Sequence, residues 1–140
     1  MERHLRWWSV LAVVVLALGG CSSGSRASDP AGTAVREAHS SVAGLVLSVQ
    51  LLLDHRAIPT VTQVSLEQTL EDVAGAHQEL LTATDADPQR RAVAIAAVQE
   101  AADTLVALGR RGAAELGPPD LERLQKAEQV LAAAARELQA

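Results

Sequence analysis

Few side chains in this 140-residue chain have the type and spacing that chemistry needs. Its single cysteine, Cys21, has no intramolecular disulfide partner. Histidine, the usual acid–base and metal-binding residue near neutral pH, stands at positions 4, 39, 55 and 77. If a first helical hairpin turns near Ile58, His39 and His77 face each other. Two imidazoles at one level of a bundle could hold a metal, with Glu79 or Glu100 alongside. No HxxxH or Glu-x-x-His pair reinforces that site, so no metal is expected, and His39 and His77 are the sole candidates. Nucleophile chemistry also lacks a setting: Ser22-Ser23 and Ser40-Ser41 lie in no G-x-S-x-G, and His39 beside Ser40 stands alone. Gly109-Arg110-Arg111-Gly112 has neither the spacing nor the lysine of a phosphate loop. Asp85, Asp87, Arg90-Arg91 and Arg110-Arg111 fall at helix ends, where capping and dipole compensation account for them. The chain is therefore expected not to be an enzyme and to need no cofactor.

Cys21 itself sits in a definite neighbourhood. Arg3 and Arg6 give a positive start, and Trp7 to Leu18 is apolar except for Ser9. That run has the length of a secretory signal core and is shorter than the ~20 apolar residues of a spanning helix. Gly19 and Gly20 are small, as a processing site requires. Leu18-Gly19-Gly20-Cys21 resembles the lipobox of bacterial lipoproteins, position by position. The resemblance covers about the first 21 residues and speaks to processing and location only. It implies cleavage before Cys21, a diacylglyceryl thioether on the cysteine sulfur, and a freed amine open to acylation. The implied place is the extracytoplasmic face of the cell membrane, in the cell envelope. Two acyl chains, at ~0.8 kcal/mol per buried CH₂, hold a protein stably where one chain is marginal.

On this reading residues 1–20 are a signal peptide, 21–30 a lipidated start and tether, and 31–140 a single domain. The 120 residues left after cleavage carry ten basic and sixteen acidic side chains, a net charge of −6. This acidic balance argues against nucleic acid and against a polybasic grip on anionic headgroups, leaving the lipid as the anchor. Trp7 and Trp8 are the only aromatic residues, so the mature domain has none. Aromatic faces are what stack sugars, nucleobases and flat cofactors, so those ligand classes are disfavoured. Arginine far outnumbers lysine, which occurs only at Lys126, and alanine is abundant. Such a bias resembles that of proteins from GC-rich genomes such as those of actinobacteria.

Positioning these residues falls to helices. Val35, Ala38, Val42, Leu45, Val49 and Leu52 recur every three or four residues, predicting a helix over about 31–56 that Pro59 ends. Leu66, Leu70, Val73, His77 and Leu80 predict a second over about 62–83. Ser65-Leu66-Glu67-Gln68 has the form of a capping box, which would let that helix start as late as Leu66. Asp87 caps a third helix that begins at Pro88 and follows Ala94, Val98, Ala101, Leu105 and Leu108 to about Arg111. Gly112 then supplies a left-handed stop, with a short continuation over 113–116. Leu121, Leu124, Ala127, Leu131, Ala134 and Leu138 predict a fourth over about 119–139. Helices of this length joined by short loops pack antiparallel, so the expected fold is all-α, an up-down-up-down four-helix bundle. A three-helix core with one loosely docked helix is the structural alternative.

The first helix is apolar nearly all round between Gly44 and Leu53. Leu47 and Leu51 lie off its main stripe, either contacting a second neighbour or forming a surface for a partner or a second copy. The expected role is a non-catalytic interaction or accessory module at the envelope. A small-ligand or metal-binding sensor or scavenger bundle and a structural spacer are the alternatives.

Overall fold

The computed structural model describes residues 29–84 and 86–140. Four helices occupy them: α1 (Pro30–Leu53), α2 (Pro59–Thr82), α3 (Pro88–Arg111) and α4 (Pro118–Gln139), with a 3₁₀ turn at Ala113–Glu115. Each helix opens on a proline, and the chain's fifth proline, Pro119, follows Pro118 within the first turn of α4. Proline fits there because its fixed φ is helical and its missing N–H is one the first turn leaves unpaired anyway. The three 24-residue helices are each about 36 Å long at 1.5 Å per residue.

The four helices form an antiparallel bundle, and no strand occurs among the described residues. α1 packs on α2 and α4, and α3 packs on the same two. α1 and α3 also meet across the centre, whereas α2 and α4 do not. The reason lies in side-chain size. Ala31, Ala34 and Ala38 of α1 and Ala94 and Ala97 of α3 are buried in the N-terminal halves of two parallel helices, with Ala101 just past the middle of α3. Methyl side chains let those halves approach closely. Farther along, Leu45, Val49, Leu105 and Leu108 fill a thicker core with Leu66 and Leu124. Each fully buried leucine contributes roughly 1.5–3 kcal/mol by leaving water.

The helix boundaries differ from the sequence expectation at one place that matters. Pro59 starts α2 rather than merely ending α1, and α1 stops earlier, at Leu53. His55 takes a positive φ of 58°. The N–H of His55 then reaches the Leu52 carbonyl, and those of Arg56 and Ala57 reach Leu51. These bonds close the end of α1, as a reversed last turn must. Ser65 lies inside α2 and caps nothing; its carbonyl accepts the buried Thr69 hydroxyl at 2.8 Å. The cap at Asp87 and the position of the stop at Gly112 follow expectation, but the conformation of Gly112 does not. Asp87 accepts the N–H groups of Gln89 and Arg90, and Gly112, at φ 78°, ends α3. Its ψ of 158° is extended, not helical, so the chain turns straight into the 3₁₀ segment.

Polar clasps pin both ends of the bundle. At the end where α1 begins, the Arg90 guanidinium donates to the Asp29 carboxylate at 2.6 Å and to the Leu138 carbonyl. One side chain thus ties the starts of α1 and α3 to the end of α4. Arg91 donates to the Leu81 carbonyl at 2.9 Å and covers the end of α2. Burial pushes the Asp29 carboxyl up, but the Arg90 hydrogen bond, the Gly32 and Ala31 amides and the Arg90 charge together hold it below the usual carboxylate value. At the opposite end the buried Asp120 carboxylate accepts Arg111 at 2.6 Å and the Gly117 N–H at 2.8 Å.

Candidate functional site: the outer face of the first hairpin

Polar contacts along the seam between α1 and α2 fix their register. Ser41 donates to Asp72 at 2.7 Å, and Thr69 lies against the Ser41 carbonyl. Nearer the turn, Ser48 meets the buried Thr62 hydroxyl at 3.4 Å. This register sets the hairpin's centre at Asp54–Ala57, ahead of Ile58, and so overturns the facing of His39 and His77. His39 lies two residues, or about 200° of helix, from Ser41 and points to the other flank of α1. There its Nε2 is 3.6 Å from a carboxylate oxygen of Glu128 on α4. His77 continues the row of Gln63 and Leu70 at seven-residue spacing. That row faces α3: Gln63 accepts the Ala113 N–H, and Leu70 lies beside Gly109. Glu79 and Glu100 are exposed on different faces. Among the described residues no group of three or more His, Cys, Asp or Glu side chains is placed to hold a metal. Leu18, Gly19, Gly20 and Cys21 lie outside the described residues, as does Asp85.

Outside the core, the outer surface of the α1–α2 hairpin has two unlike halves. Near the turn it is aliphatic. Leu47 is 56% exposed, Ile58 63%, Val61 56% and Val64 61%, which is most of the large apolar surface the described chain leaves in water. Leu51 is half-buried at the edge of this strip. Helical spacing puts them together. Leu47 and Leu51 are four apart on α1, Val61 and Val64 are three apart on α2, and Ile58 immediately precedes its first turn; Leu47, Ile58, Val61 and Val64 are exposed on the outward side of the hairpin. Leu81 and Val106, the other exposed aliphatics, stand apart from it.

Farther from the turn the same face opens into a groove of about 490 Å³, walled by Glu37, Ser40, Ser41, Glu71, Asp72 and Glu79. Among the described residues none of these four carboxylates is in an ion pair; Asp72 accepts only from Ser41 and Gln68. The imbalance is general to this hairpin. Residues 29–83 carry seven acidic and two basic side chains, whereas residues 86–140 carry eight and seven. Two glycines, Gly44 and Gly75, stand on the outward side of α1 and α2, exposed and in mid-helix. A Cβ at either would meet nothing within 4 Å.

The sequence reading singled out Leu47 and Leu51 but missed Ile58, Val61 and Val64. Reading Pro59 as a stop leaves Ile58 and Val61 in the connection, and Val64 lies off the Leu66, Leu70, Val73, His77 and Leu80 stripe of the expected second helix. The signal was present: a proline followed by aliphatics at helical spacing marks a first turn as readily as a break. No protein-family model matches the chain, and no similar curated protein or solved structure was found.

Proposed function

We propose that this protein is a lipid-anchored, non-catalytic interaction module of the bacterial cell envelope. The bundle is tethered through Cys21 and presents the outer face of its first hairpin to a protein partner. The carrying observation is the aliphatic strip of Leu47, Ile58, Val61 and Val64, which gathers four of the six large aliphatics exposed among the described residues; Leu81 and Val106 stand apart. The lipobox resemblance supports the location. The start of α1, the α2–α3 connection and the end of α4 share one end of the bundle, and the strip lies toward the other. The seven residues between Cys21 and Asp29 reach at most about 25 Å. A domain hung from them displays the hairpin turn away from the bilayer. The open, acid-walled groove is less suited to a small ligand, since such sites bury most of the ligand among apolar side chains.

Crosslinking in intact cells, with the acylated protein as bait, tests this reading. The wild-type chain is expected to give a discrete protein adduct that Leu47→Glu with Val64→Glu removes, with the helical content unchanged. An identical adduct pattern and identical size in the double variant would refute a partner surface on this face.

A further inference from the structure

We infer that the outer face of the first hairpin is a docking groove for a cationic amphipathic helix of a partner protein. The inference rests on the partner-binding reading above and specifies the partner's chemistry. Three independent features agree. First, the strip around Leu47, Val61 and Val64 offers apolar anchorage at one end of the face. Second, Glu37, Glu71, Asp72 and Glu79 leave the other end with four negative charges, none in an ion pair among the described residues. Third, Gly44 and Gly75 carry a helix-propensity cost of roughly 0.5–1 kcal/mol each relative to alanine, and nothing inside the bundle requires it. Gly75 lowers the wall of the groove and Gly44 leaves the outward side of α1 equally open, so that another backbone can come close.

From Glu37 to Leu51 the face is about 21 Å long, which is four turns of an incoming helix. A helix seated between α1 and α2 packs as a third neighbour at the usual 8–10 Å. Its apolar residues, repeating at three and four, meet the aliphatic end, and its Lys or Arg residues meet the acids. Charge complementarity selects this occupant. A second copy docked by the same face brings the same four carboxylates, and an anionic bilayer repels them. A cationic helix gains from them, in a salt-dependent way.

The test uses the full chain in its native cells, with a photocrosslinking side chain at Val64, at Glu71, or at Val106 on α3 as control. The expected result is one partner protein captured from both Val64 and Glu71 and not from Val106. The crosslinked peptide should have apolar residues at helical spacing and a net positive charge. Glu71→Lys with Glu79→Lys should cut the adduct from Val64 at least tenfold. Gly75→Leu, which fills the groove without disturbing the core, should cut it similarly while thermal stability holds or rises. A partner segment that is neutral or acidic, or a yield indifferent to charge reversal, overturns the cationic helix and leaves the partner-binding role standing. Capture of a second copy of this chain overturns it in the same way. Lipid adducts alone, or no adduct from either position, overturn both.

Discussion

Glycine-to-alanine substitution has a sign in this bundle that the geometry decides site by site. Gly44 and Gly75 are exposed, mid-helical and open, with nothing within 4 Å of an added Cβ. Alanine at either removes backbone freedom from the unfolded chain without strain, and should stabilise by roughly 0.5–1 kcal/mol. The two sites lie about seven residues apart in level, roughly 10 Å along the bundle, so their effects should add, to roughly 1–2 kcal/mol. In a domain near 100 residues that corresponds to about 4–8 °C in melting temperature per kcal/mol. Gly112 is the internal control. Its φ of 78° lies where an L side chain is strained, so Gly112→Ala should destabilise by roughly 1 kcal/mol or more. Gly32 is a second control, because a Cβ there would stand 2.6 Å from the Asp29 carboxylate that Arg90 holds. Urea and thermal unfolding followed by circular dichroism separate the four variants. If Gly44→Ala with Gly75→Ala destabilises the protein, the outward, unobstructed setting of these glycines is wrong. The two glycines then carry no cost that a partner would have to explain.

Asp120→Ala should cost roughly 1–3 kcal/mol in urea unfolding, because it strands the Gly117 N–H at the start of α4 and removes the carboxylate partner of Arg111 at the end of α3; a neutral result would contradict the buried clasp. His55→Gly should stabilise by up to about 1 kcal/mol, since His55 holds a positive φ that glycine adopts freely, and a loss of stability would contradict that turn. The Asp29 carboxyl is held below its ordinary value in the folded state. Its contribution is therefore complete above about pH 4 and is lost as the pH falls through the lower, folded value. The urea midpoint of the wild type should fall on acidification in that window by more than that of Asp29→Asn; parallel curves would refute the clasp's electrostatic role.

The legibility of the fold was uneven, for physical reasons. Stripes such as Ala94, Val98, Ala101, Leu105 and Leu108 repeat at 3.6 residues because one helical face must leave water, and all five are buried. Asp87 and Gly112 were readable because capping and positive φ each favour few residue types. Pro59 was ambiguous, since proline both ends one helix and begins the next. Placing the turn a few residues late shifted the hairpin's register. That shift brought His39 and His77 together on paper, although one lies on the α4 side of α1 and the other on the α3 side of α2. Leu47 announced itself by lying off the main stripe. The acidic half of the same face did not, because Glu37, Glu71, Asp72 and Glu79 look like ordinary solvated positions until the register aligns them. The openness around Gly44 and Gly75 was likewise invisible without the neighbouring helix.

The proposed place of the bundle at the envelope depends on its being held there through Cys21. Intact-mass and peptide mass spectrometry of the membrane-extracted protein tests that claim directly. The account predicts a chain that starts at Cys21 and carries a diacylglyceryl group on its sulfur. A chain that still begins at Met1, or a free Cys21 thiol on a soluble protein, would contradict it.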